Sequence, residues 1–148
     1  MIPVQFPEPQ FNIRIEGDKR FIFDTIRRSW LLLTEEEWVR QNFINFLVNH
    51  LKYPSSLIAV EKEIQLNELR KRFDVLVYDI HHKPWMIIEC KAPEVSLNEN
   101  VLQQVLRYNM SVPVKFIVIT NGHLTIGWEK AGDSLSQIMS LPEWKSLY

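Results

Sequence analysis

The chain has 148 residues, 46% of them apolar and 24% charged, the composition of an ordinary folded domain and not of a fibre or a disordered tail. Seventeen Lys and Arg against 18 Asp and Glu leave a net charge of −1, so no global field draws the chain to nucleic acid and any phosphate partner must be gripped locally. One cysteine, Cys90, cannot form an internal bridge and fits a reducing, cytoplasmic setting.

Apolar runs such as Trp30 to Leu33 and Trp85 to Ile88 are four residues long, far short of the ~20 that a bilayer span needs. The first nine residues lack a basic stretch followed by an apolar one, so no signal peptide is expected. None of Gly17, Gly122, Gly127 and Gly132 opens a phosphate-binding loop or a dinucleotide turn, which argues against a nucleotide cofactor, and the four histidines are not at zinc-ligand spacing. No repeat or linker interrupts the chain, and residues 1–148 read as one domain with an irregular, proline-bearing lead-in over 1–10.

In chain order, 11–15 and 20–24 flank Glu-Gly-Asp-Lys and predict a small hairpin. Thr34-Glu35-Glu36-Glu37 matches a capping box, and Val39, Phe43, Phe46, Leu47 and Leu51 then recur at helical spacing, which predicts a helix over 35–51 stopped at Tyr53-Pro54. Ile58 to Leu66 alternates like a strand with one wet face, and 72–79 and 84–92 read as two more strands joined through Ile80-His81-His82-Lys83. A second box, Ser96-Leu97-Asn98-Glu99, predicts a helix to Met110. Strands over 114–120 and 123–129 surround Asn121-Gly122, and a short helix over 133–140 and a turn after Pro142 end the chain. Helix, three strands, helix and strand make a mixed α/β sandwich.

The strands at 72–79 and 84–92 carry the chemistry. If their loop is centred between His81 and His82, Asp74 falls opposite Glu89 with Cβ atoms ~4.5 to 5.5 Å apart. Two like charges so placed repel unless something cationic lies between them. Lys91 shares the face of Glu89, while Cys90 points the other way with Met86 and Ile88. Mg²⁺ suits such a pair, since it binds one or two carboxylates and keeps waters for a phosphate. The alternative is a salt-bridged patch on a solvated sheet face.

Asp74 followed after an apolar strand by Glu89-Cys90-Lys91 resembles the Asp…(Asp/Glu)-x-Lys signature of the PD-(D/E)XK nuclease superfamily, with Phe73 where that signature has proline. Together with Glu36-Glu37-Trp38-Val39-Arg40-Gln41, Lys71-Arg72-Phe73-Asp74, Ile88 to Pro93, Gln104 to Tyr108 and Thr120-Asn121-Gly122, it resembles the N-terminal nuclease domain of type I restriction enzyme R subunits over about 20–130. The resemblance implies a restriction-endonuclease-like mixed central sheet flanked by helices, core order αβββαβ, with an N-terminal hairpin. It implies DNA as substrate and Mg²⁺, replaceable by Mn²⁺, held by Asp74, Glu89 and the main-chain carbonyl of Cys90. Lys91 would orient the attacking water or stabilise the transition state, and Gln104 and Tyr108, four apart on one helical face, would steady the Lys, the water or the DNA.

Other readings stand beside these. Glu37 either joins the site from the first helix or only completes the capping box, and Glu36 either joins it or faces solvent. Gln104 and Tyr108 are otherwise a surface residue and a core aromatic; Glu61 and Glu63 alternate outward on a strand. Lys71-Arg72 and Arg27-Arg28 are basic pairs suited to DNA backbone phosphates. A partner in the form of a separately encoded motor or recognition subunit is expected, and the rival function is a nuclease-fold module that binds DNA or protein without cutting it.

Overall fold

The computed structural model describes residues 1–144. Strands β1 (Ile13–Glu16), β2 (Lys19–Asp24) and β3 (Ser29–Leu32) form an antiparallel three-stranded sheet, so the predicted hairpin gains a third strand from the run that begins at Ser29. Ile22 and Asp24, two apart on β2 and therefore on one face, are both fully buried.

Helix α1 (Glu35–Asn45) starts at Thr34, whose Oγ1 accepts the Glu37 main-chain N–H at 3.0 Å. The predicted helix over 35–51 is corrected in its last turn: Phe46–His50 winds as a π-turn closed by Leu51 N–H donating to the Phe46 carbonyl at 3.1 Å. Widening the turn lets Phe46 and Leu47, adjacent in sequence, both be buried. Tyr53 is buried where the chain leaves the turn, its hydroxyl donating to the Pro142 carbonyl at 2.9 Å.

A six-stranded sheet follows in the order β4 (Ile58–Leu66), β5 (Leu69–Tyr78), β6 (Pro84–Cys90), β7 (Phe116–Thr120), β8 (Thr125–Ala131) and β9 (Ser134–Ile138). Every neighbouring pair is antiparallel except β6 and β7, whose crossover contains helix α2 (Glu99–Asn109). The helix predicted over 133–140 is strand β9, because Leu135 and Ile138 pack against the rest of the sheet across a tight turn at Gly132. The N-cap of α2 is Asn98, whose Oδ1 takes the Val101 N–H at 3.0 Å; Ser96 does not cap it. Of the turn predicted after Pro142, residues 145–148 lie outside the described residues.

Val39 and Phe43 of α1 and Leu47 of the π-turn share a core with Val75, Val77, Met86, Ile88 and Val118. Leu76, Ile87 and Ile117, which alternation turns to the other side of the sheet, pack with Val112, Val114 and Leu106. β6 is thus covered on both faces, as its unbroken Met-Ile-Ile run requires, and its one charged residue, Glu89, comes at the C-terminal end. No helix among the described residues is long and apolar enough to cross a membrane.

Candidate functional site

The β5–β6 register pairs Val75 with Ile88, Leu76 with Ile87 and Val77 with Met86. One step further places Asp74 across from Glu89. On the other side of β5, Val60 pairs with Val75 and Lys62 with Phe73, so the intervening step sets Glu61 beside Asp74. Three carboxylates therefore stand in a row across β4, β5 and β6. Glu61 occupies that row with a left-handed φ of 54°, a conformation that a non-glycine residue holds only when its surroundings enforce it.

Asp74 is anchored at both oxygens. Its Oδ2 accepts the Cys90 main-chain N–H at 2.8 Å, and its Oδ1 lies 3.5 Å from Nη2 of Arg40. In an extended strand the N–H and C=O of one residue point to the same edge, so the Cys90 carbonyl faces the Asp74 side too. The Cys90 thiol is buried in the α1 core with Met86 and Ile88, and burial pushes its pKa well up. Lys91, two residues past Glu89, brings its Nζ within 3.2 Å of Glu89 Oε1.

Glu61, Arg72, Asp74, Glu89 and Lys91 line one cavity of about 350 Å³, closed on the helix side by Gln104, Val105, Tyr108 and Asn109 of α2. Gln104 and Tyr108 face it together, as residues four apart on a helix do. Tyr108 is 45% exposed and not a core aromatic; its hydroxyl accepts the Arg72 main-chain N–H at 3.1 Å. Arg72 reaches across to Glu61 Oε2 at 2.5 Å, with 64% of its side chain exposed. Lys71 lies outside the cavity wall, its ammonium 4.4 Å from the centre of the Tyr108 ring and donating to the Tyr108 carbonyl. Asn109 is buried in the wall, and its Oδ1 has no hydrogen-bond partner.

Glu37 does not enter this cavity. The carboxylate that could have returned to the Thr34 N–H receives Arg27 Nη2 at 3.0 and 3.1 Å, Arg40 Nη1 at 2.6 Å and Gln41 Nε2 at 3.1 Å. The capping box is thus half made, since the Thr34 N–H donates to the Leu32 carbonyl instead. Its neighbour Glu36 is the acid of α1 that feels the site: burial first, then the charge of Asp74, raises its carboxyl above the usual range. Arg40, Gln41 and Asp24, all buried, and the part-buried Arg27 form a polar cluster around Glu37; Arg27, expected at a DNA backbone phosphate, is instead engaged by Asp24 and Glu37, and the tight Glu-Glu-x-x-Arg-Gln spacing is the sequence signal of the rest.

Glu89 sits among groups that oppose its ionisation. Burial, and next the Asp74 charge, push its carboxyl up to about 7 against the pull of Lys91. Lys91 pairs with Glu89 while Arg40 and Arg72 are taken up by Glu61 and Asp74, and the buried Asn109 oxygen is a further acceptor without a donor. These residues fit a divalent cation and its waters, with hard oxygen donors from Asp74, Glu89 and the Cys90 main chain. Among the described residues no three His, Cys, Asp or Glu side chains are gathered closely enough to hold a metal ion by themselves, so two carboxylates plus main-chain oxygen and water is the set available.

The family described as type I restriction enzyme R protein N terminus matches residues 35–142, from the first residue of α1 through β9 and including every residue of the cavity. No curated protein matches the chain. With well over half of its length matched, the chain belongs to the type I restriction enzyme R protein N-terminal family.

Proposed function

We propose that the chain is a divalent-metal-dependent DNA nuclease of the PD-(D/E)XK kind, with a restriction-endonuclease-like core. The observation that carries this reading is the gathering of Asp74, Glu89 and Lys91 with Gln104 and Tyr108 around one cavity large enough for a phosphodiester. Asp74, Glu89 and the Cys90 carbonyl hold Mg²⁺ or Mn²⁺, which when bound lowers the pKa of a water and neutralises charge on the scissile phosphate. Lys91 offers a compact ammonium beside Glu89, placed to orient the water or to meet charge developing on a phosphate oxygen. Gln104 steadies the water or the phosphate from α2, and Tyr108 fixes the Arg72 main chain at the cavity rim. Arg72 and Lys71 are the backbone-phosphate contacts, Arg72 the more available of the two because most of its side chain is exposed at the cavity rim. Glu37 acts at one remove, through Arg40.

DNA is the substrate in this reading, in the cytoplasm and in concert with a separately encoded motor or recognition subunit, whose co-purification would support that assembly. The test is cleavage of plasmid and single-stranded DNA with Mg²⁺ or Mn²⁺ by the wild type, Asp74→Ala and Lys91→Ala; equal activity in all three discards it. The near-neutral charge balance favours a second reading, a module of the same fold that binds DNA or protein without cutting. Calorimetric titration with Mg²⁺ separates them, since only the nuclease requires the cation site.

A further inference from the structure

The cavity is braced from outside by a chain of buried charges. Asp24 at the end of β2, fully buried, accepts Arg27 Nε at 2.6 Å and Gln41 Nε2 at 3.0 Å. Burial raises the Asp24 carboxyl, but the Arg27 main-chain N–H, its guanidinium and Gln41 together outweigh it and hold the group below the usual range. Arg27 passes the link to Glu37, and Glu37 to Nη1 of Arg40 at 2.6 Å. The other amino group of Arg40, Nη2, lies 2.9 Å from Glu61 Oε1 and 3.5 Å from Asp74 Oδ1. Only 6% of the Arg40 side chain is exposed, so the guanidinium is held by these acids and not by water.

A planar fork fixed at one prong transmits that position to the other. Arg40 is aimed by Glu37, which Arg27 and Asp24 hold in turn, and its free prong meets the two acids β4 and β5 bring to the row. Asp24 and Arg27 precede the segment matched by the family, so the three-stranded sheet supplies the outer half of the brace. We propose that Arg40 is the positioning residue of the site: through its two prongs the Glu37 cluster fixes the carboxylate of Asp74, and the pose of Glu61 beside it, for a divalent cation. This rests on the nuclease reading. Arg40 itself touches neither cation nor DNA.

Arg40→Lys tests it, because lysine keeps the buried charge but cannot span Glu37 and Asp74 as a fork does. Binding of Mn²⁺ alone is measured by calorimetry, with thermal melting and DNA cleavage kinetics alongside. The expected result is a cooperatively folded variant whose Mn²⁺ affinity falls about 10- to 100-fold, the range seen when an outer partner of a metal ligand is removed. Cleavage kcat falls with it while KM for DNA stays close to that of the wild type. Wild-type Mn²⁺ affinity and kcat in a folded Arg40→Lys overturn the inference. If Arg40→Lys fails to fold, Glu37→Gln, nearly isosteric and remote from the cavity, carries the same expectation and the same refutation. A wild type that binds no Mn²⁺ is a different outcome: it removes the nuclease reading and the inference with it.

Discussion

Asp74 Oδ2 stands in for a strand carbonyl, taking the Cys90 N–H at 2.8 Å at the point where the β5–β6 ladder ends. One side chain thereby fastens two strands and sets a carboxylate opposite Glu89. Asp74→Ala leaves the Cys90 N–H without its acceptor at a part-buried site, a cost of about 1–3 kcal/mol, and relieves Glu89 of its strongest charged neighbour. The expected outcome is a folded protein with lowered melting temperature, a Glu89 carboxyl that titrates lower, and no DNA cleavage. Asp74→Asn keeps an acceptor for Cys90 and restores much of the stability but none of the activity. Denaturant melts and cleavage assays on both variants check the separation; an active Asp74→Asn contradicts it.

The raised pKa of Glu89 has a defined effect on stability. Between the ordinary carboxyl value of 4.5 and about 7 the folded state holds a proton that the unfolded chain releases. The contribution is complete below pH 4.5 and is lost as pH rises to 7, by up to roughly 3 kcal/mol. Asp24 acts with the opposite sign, its lowered pKa removing stability as pH falls through the acid range. The metal-free protein should therefore be most stable in mildly acidic solution, with melting temperature declining toward pH 7 and flattening above. Millimolar Mg²⁺ or Mn²⁺ should raise the melting temperature at pH 8 and leave it nearly unchanged at pH 5. A cation effect equal at both pH values, or a metal-free melting temperature that climbs from pH 5 to 7, goes against this placement of Glu89.

Tyr108 ties α2 to β5. Its hydroxyl meets the Arg72 N–H and its ring lies under the Lys71 ammonium. Tyr108→Phe keeps the ring and loses the hydroxyl's two exposed hydrogen bonds with the Arg72 main chain, the longer at 3.5 Å, which water replaces, so stability should drop by less than about 1 kcal/mol. Tyr108→Ala should cost more, because the contact between the ring and the Lys71 ammonium goes as well. Chemical denaturation ranks the two variants; equal losses mean that the ring contact contributes nothing.

The periodicity of apolar residues was enough to find the helices and the central strands, and the β5–β6 register followed from locating one loop. β9 escaped because Ser-Leu-Ser-Gln-Ile has too few apolar residues to distinguish a strand from a helical turn, and pairing with β8 decides the matter. Within the site, Asp74, Glu89 and Lys91 were legible because a period of two relates them along adjacent strands. Arg40 was not: its partners are 3, 21 and 34 positions away in sequence, and only the folded chain brings Glu37, Glu61 and Asp74 to one guanidinium. Strand alternation turns Glu61 outward, a pattern that its left-handed φ interrupts. Glu37 was legible as a helix-start residue, but the capping pattern says nothing of an arginine arriving from the loop after β2.

Arg72 allows a last prediction about DNA. In the free protein its guanidinium is held by Glu61 at 2.5 Å, while most of the side chain remains exposed at the cavity rim. A phosphate must compete with that carboxylate for it. Arg72→Ala should weaken DNA binding whatever the sequence and reduce the slope of log affinity against log salt by about 1, the signature of one lost phosphate contact. Glu61→Gln removes the competing charge and should raise metal-free DNA affinity while leaving that slope unchanged, because no phosphate contact is added. Fluorescence anisotropy over a salt series, with Lys91→Ala as the background to suppress cleavage, measures both. If Arg72→Ala and its parent show the same slope, Arg72 does not meet the DNA backbone, and its ion pair with Glu61 is a feature of the folded protein alone.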